Sequence, residues 1–140
     1  FERKPFTNIA FTFLGIFYIA TPLSLMNIAA YVDGAYNFEI ILGSLLILWA
    51  SDTGAYFAGT YFGKRKLFER ISPKKSWEGF FGGAALAFVI TFIFTQYFHS
   101  LASYHWYVIA VLIIVGGTFG DLIESLLKRS IEIKDSGSVL

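Results

Sequence analysis

The chain has no cysteine, three prolines, one methionine and few charges; Asp, Glu, Lys and Arg make up 15 % of its 140 residues. Lack of cysteine excludes a disulfide framework and leaves the redox compartment unread. The shortage of charge excludes an ordinary soluble surface, because soluble domains are about a quarter charged. No Ala-x-Ala cleavage pattern marks a signal peptide, and there is neither a low-complexity stretch nor an internal repeat. The chain opens on Phe1 with an apolar block close behind, which reads as part of something longer. What is abundant is apolar: 56 % of residues, 19 % aromatic, with a mean hydropathy of +0.61.

That apolar content lies in long blocks. A bilayer core of roughly 30 Å takes about 20 apolar residues as helix. Four blocks meet this, at about 8–27, 38–62, 79–98 and 107–127. Pro22 lies near the far end of the first, and Ser51-Asp52-Thr53-Gly54 interrupts the second. Four such blocks leave no polar outer face for a soluble bundle. The expected fold is all-α, a polytopic integral membrane protein with about four transmembrane helices, residues 1–140 forming one region.

The net charge of +1 is uninformative, but the placement of the charges is not. All eleven Lys and Arg residues lie before span one (Arg3, Lys4), between spans two and three (Lys64, Arg65, Lys66, Arg70, Lys74, Lys75) or after span four (Lys128, Arg129, Lys134). Loops 28–37 and 99–106 have none. Cations stay on the cytoplasmic side, so both ends and the 64–75 loop are expected there. Tyr31, Tyr36, Trp77, Tyr97, Tyr104, Trp106 and Tyr107 fall near span ends, as interfacial aromatics do. His99 and His105 share an outer loop without a carboxylate or cysteine, which favours interfacial polar residues over a metal site. Small residues at spacing four (Ala50, Gly54 and Ala58; Gly116 and Gly120) suit close helix packing.

Carboxylates within spans are the exception that calls for chemistry. Each costs at least about 2.5–3.5 kcal/mol in hydrocarbon, yet Asp52, Asp121 and Glu124 all lie in spans. At 100° per residue Asp121, Glu124, Ser125 and Lys128 fall on one stripe, opposite Leu122, Ile123, Leu126 and Leu127. Asp121 is roughly 9 Å and Asp52 roughly 15 Å from the cytoplasmic ends of their spans. Both are expected in one pocket open to the cytoplasm and rimmed by the 64–75 loop with Lys128, Arg129 and Lys134. Glu124 and Lys128, four apart, also suit a plain ion pair. Carboxylates below cations suit phosphoryl chemistry: carboxylates hold Mg²⁺, which bridges phosphate oxygens, while Lys and Arg neutralise the remainder. A transporter would more often place carboxylates on broken helices near the midplane, and Asp52 beside Gly54 leans that way. In "ISPKKSWEG", residues 71–79, Ser72 is expected to cap a helix beginning at Pro73. Its free N–H groups with Lys74 and Lys75 would bind an anion; an ordinary positive-inside loop is the other reading.

These residues resemble the phosphatidate cytidylyltransferase (CDP-diacylglycerol synthase) family. The family's C-terminal signature is matched in register by Ser125, Leu127, Lys128, Arg129, Lys134, Asp135, Gly137 and Leu140, and "SDTGAYFAGTYFGKRK" and "SPKKSWEGFFGG" match in order. The resemblance covers at least residues 50–140. It implies an integral membrane enzyme that joins CTP and phosphatidate into CDP-diacylglycerol, releases pyrophosphate and requires Mg²⁺. Residue by residue, it implies Asp121 as a metal ligand; the polar stripe adds Glu124 as a second candidate. Lys128, Arg129, Lys134 and Asp135 fall in the catalytic signature, and Ser72, Lys74, Lys75 and Ser76 in the nucleotide-binding region. The family's following Pro-Gly-His-Gly-Gly segment and a later metal-binding Asp are absent from this sequence, so residues 1–140 alone are expected to be inactive. The implied partners are CTP, phosphatidate and membrane lipid, with no nucleic acid; a homodimer is compatible. The implied location is a bacterial inner membrane with a cytoplasmic active site. The alternatives are a CTP-dependent polyprenol or phytol kinase and an ion-path transporter fragment.

Overall fold

The computed structural model describes residues 5–32, 34–69 and 71–130. Four helices among them are long and apolar enough to cross a membrane: Phe6–Ala29, Phe38–Phe62, Trp77–Tyr97 and Ser103–Lys128. The chain is an all-helical integral membrane protein, to which two short hairpins are added. It divides into two units, Phe1–Ile41 and Leu42–Leu140.

The first unit holds α1, Pro5–Ala29, in which no side chain of residues 6–29 is buried. Pro22 lies inside the helix without ending it, as is tolerated in membrane helices. Strands β1 (Tyr31–Val32) and β2 (Ala35–Tyr36) then pair antiparallel. Gly34 supplies the positive φ, +80°, that this tight turn requires. Asn37 Oδ1 accepts from the Glu39 N–H at 2.7 Å and so starts α2, Phe38–Phe62.

In the second unit α2 is followed by β3 (Lys66–Phe68), β4 (Ser72–Ser76), α3 (Trp77–Tyr97) and α4 (Ser103–Ser130). The expected interruption at 51–54 is absent; α2 runs unbroken through it. The reason is packing. A Cβ at Gly54 would stand 2.6 Å from the Gly82 carbonyl oxygen and 2.9 Å from Leu86 Cβ, and one at Gly82 would overlap Ala58. Glycine here serves backbone approach between α2 and α3, not a helix break. In lipid, where apolar side chains gain little from leaving the solvent, such close packing is what joins helices.

The core is small: Ile47, Ala87, Trp106, Ala110 and Ile114, flanked by Phe94 and Phe98. Trp106 is fully buried, with its ring 5.8 Å from Phe98 and 6.3 Å from Phe94. This corrects its reading as an interfacial aromatic. Gly43 explains the burial, since a Cβ there would come within 2.5 Å of the indole. At Gly116 and Gly120 a Cβ would meet nothing within 4 Å, so these two glycines make no close helix contact among the described residues of the second unit.

Candidate functional site

A cavity of about 330 Å³ opens between α2, β4, α3 and α4. Helix periodicity selects its walls. From α2 come Leu48, Ser51, Asp52, Ala55, Tyr56 and Gly59, each with a neighbour three or four residues away on one helix face. Helix α4 contributes Ile114, Gly117, Thr118 and Asp121 by the same rule, and β4 contributes Lys74, Lys75 and Ser76. Two carboxylates, two ammonium groups and several hydroxyls thus face one space.

Lys75 Nζ donates to Asp121 Oδ2 at 2.7 Å, across 46 residues of sequence. Asp52 lines the same cavity as this pair. Phe62 ends α2 ten residues beyond Asp52, about 15 Å of helix rise, so this carboxylate lies well inside its span. Its surroundings meet the need of an intramembrane charge for a polar cavity.

The lysines reach the cavity because their strand is irregular. Ser72 faces Phe68 and Ser76 faces Lys66, so a five-residue strand pairs with a three-residue one and its middle bulges. Pro73 has no N–H to give the ladder, which favours the bulge there. The expected helix cap at Ser72 is therefore corrected: residues 72–76 are a strand. Ser72 is not among the cavity residues. The cap is Ser76, 5 % exposed, whose Oγ accepts from the Gly79 N–H at 3.1 Å and opens α3 at Trp77. Proline's fixed φ suits the first turn of a helix and an edge strand alike, so the sequence left the two open.

The base of the hairpin is tied to α3. Glu78 accepts from the backbone N–H groups of Lys64 and Arg65 at 3.2 Å, and the Trp77 N–H donates to the Arg65 carbonyl at 2.9 Å. Glu78 was not singled out from the sequence, because its partners come through a hairpin that the sequence did not announce. Ser51, Tyr56 and Thr118 were also missed. Spacing alone offers them: Thr118 lies one turn before Asp121, Ser51 adjoins Asp52 and Tyr56 lies one turn after it.

Glu124 and Lys128 form an ion pair of 2.6 Å, and neither is among the cavity residues. Of Arg129 only the backbone, in α4, is described; Lys134 and Asp135 lie outside the described residues. No group of three or more His, Cys, Asp or Glu residues is gathered for a metal among the described residues. Asp52 and Asp121 in one cavity still fit Mg²⁺, which is usually held by one or two carboxylates together with substrate phosphates and water.

A sequence model of the cytidylyltransferase family matches residues 2–140. A phosphatidate cytidylyltransferase of Bacillus subtilis (strain 168) is 42 % identical over 106 residues, covering 75 % of this chain and 39 % of the relative. One from Haemophilus influenzae is 31 % identical over 145 residues, 99 % of this chain and 50 % of the relative. One from Staphylococcus epidermidis is 36 % identical over 141 residues, 99 % and 52 % respectively. The chain therefore spans about half, or less, of the length of these relatives. No solved structure matches it.

Proposed function

The chain belongs to the cytidylyltransferase family, and from that premise we propose that the whole protein transfers CMP from CTP to phosphatidate, giving CDP-diacylglycerol and pyrophosphate. The observation that supports this most is the shared cavity in which Asp52 and Asp121, from membrane spans, stand together with Lys74 and Lys75 of the β4 strand. A phosphate oxygen of phosphatidate attacks the α-phosphorus of CTP. The bond from that phosphorus to the oxygen bridging it to the β-phosphorus breaks, and pyrophosphate leaves.

Asp121 and Asp52 are the residues that would hold Mg²⁺; when bound, it would supply charge neutralisation on the triphosphate. Lys74 and Lys75, on the bulged strand, bind and orient the nucleotide phosphates. Lys128, Arg129 and Lys134, in the signature that also holds Asp135, serve the lipid phosphate at the membrane surface. The 64–75 cations and the bacterial relatives support a cytoplasmic site in an inner membrane, where CTP and the lipid head group meet. A transporter loses its one support, because α2 is unbroken at Asp52.

The test is full-length protein in phosphatidate-containing vesicles with Mg²⁺ and CTP labelled at the α- or the γ-phosphate. Label from the α-phosphate should appear in a CDP-lipid, with release of pyrophosphate. Transfer of the γ-label to a polyprenol or phytol instead would make the protein a kinase. Ion flux without nucleotide dependence would make it a transporter.

A further inference from the structure

Lys75 does not merely line the cavity: its ammonium occupies an oxygen of Asp121, the carboxylate best placed on α4 to hold a cation. The neighbouring Lys74 lines the same cavity, but the 2.7 Å ion pair there is made by Lys75. The pair is partly open, with Lys75 27 % and Asp121 59 % exposed, so an incoming ion can reach the carboxylate. An ammonium and a divalent cation cannot share one oxygen at contact distance without strong repulsion. Lys75 sits on a bulged, short hairpin strand rather than on a membrane helix, and its long stem has rotamers to move into.

We propose that Lys75 is a built-in counter-cation for Asp121 that competes with the divalent ion. It keeps the carboxylate neutralised inside the span while the site is empty and gives up that contact as the ion is loaded. This rests on the reading of Asp121 as a metal-holding residue and deepens it. The consequence is weak metal binding in the empty enzyme. The released ammonium is then available to the phosphates that arrive with the ion, so loading and nucleotide capture favour each other.

The test is Mn²⁺ binding to the full-length protein in detergent, without nucleotide or lipid, read by the loss of the free-ion electron paramagnetic resonance signal. Wild-type binding should depend on Asp121 and be lost in Asp121→Asn. Lys75→Met should bind Mn²⁺ about fivefold more tightly, the factor equivalent to roughly 1 kcal/mol at the upper end for a partly exposed ion pair. Lys75→Arg, which keeps the charge, should stay near wild type. Lys74→Met removes an equal charge from the same cavity without breaking the pair, and should change the affinity much less than Lys75→Met. Equal tightening in both methionine variants would overturn the proposal, since general charge would then be the cause. Asp121-dependent binding that Lys75→Met leaves unchanged would overturn it too, with the metal reading intact. Absence of any Asp121-dependent binding in wild type would overturn the metal reading and the proposal together.

Discussion

Placing one methyl group at Gly54 tests how the α2–α3 contact sets the site. In Gly54→Ala the new Cβ would lie 2.6 Å from the Gly82 carbonyl oxygen and 3.0 Å from Gly83 Cα, both backbone atoms that no rotamer can move. To reach ordinary contact, near 3.5 Å, the helices must separate by about 0.9 Å. Overpacking of this kind costs about 1–3 kcal/mol. Asp52 is only two residues away on the same helix and faces the cavity, so it moves with the backbone. A displacement of about 1 Å in a catalytic group can cost around 10²-fold in rate. The assay is thermal unfolding of the full-length variant in detergent, with CDP-diacylglycerol synthesis measured on the same preparation. We expect a lower melting temperature and a loss of rate between about tenfold and 10²-fold. Gly116→Ala is the control, because a Cβ there meets nothing within 4 Å; its stability should stay within about 0.5 kcal/mol of wild type. If Gly54→Ala matched Gly116→Ala in both measurements, the close α2–α3 contact would not be what positions Asp52.

Cysteines introduced singly at Lys66 and Ser103 should label from opposite sides of the membrane, Lys66 from the cytoplasmic side; labelling of both from one side would reject the topology. Glu78→Ala removes the acceptor for the Lys64 and Arg65 N–H groups, so limited proteolysis should cut the 63–76 hairpin faster and the KM for CTP should rise more than that for phosphatidate. Unchanged cleavage would mean that the hairpin is held without it.

The spans were legible because a bilayer demands long apolar runs, and that demand is visible without tertiary knowledge. The meeting of Asp52 with Asp121 was legible for a related reason: a carboxylate in hydrocarbon needs company, and comparable depth brought both to one cavity. The β3–β4 hairpin was not. Strands of three and five residues, the longer one bulged between Ser72 and Ser76, are too short for a period to show. Trp106 was misread since an indole near a span end satisfies the interface and the core equally; only its fit against Gly43 decides. Glu124 looked like a ligand by its stripe with Asp121, yet a lysine four residues on was the nearer partner. Sequence periodicity gives a face, but not which members of that face reach the cavity and which turn to each other.

The central claim is that Asp121, brought from α4 into the cavity with Asp52 and Lys75, holds the ion that the reaction needs. The most direct measurement is the initial rate of CDP-diacylglycerol formation by full-length Asp121→Asn in phosphatidate vesicles, over a range of Mg²⁺ concentrations, with membrane insertion checked on the same sample. Asn keeps the shape and loses the charge. The rate should fall by about 10²-fold or more and stay low as Mg²⁺ is raised, while insertion is unchanged. A correctly inserted variant turning over near the wild-type rate at ordinary Mg²⁺ would contradict the claim.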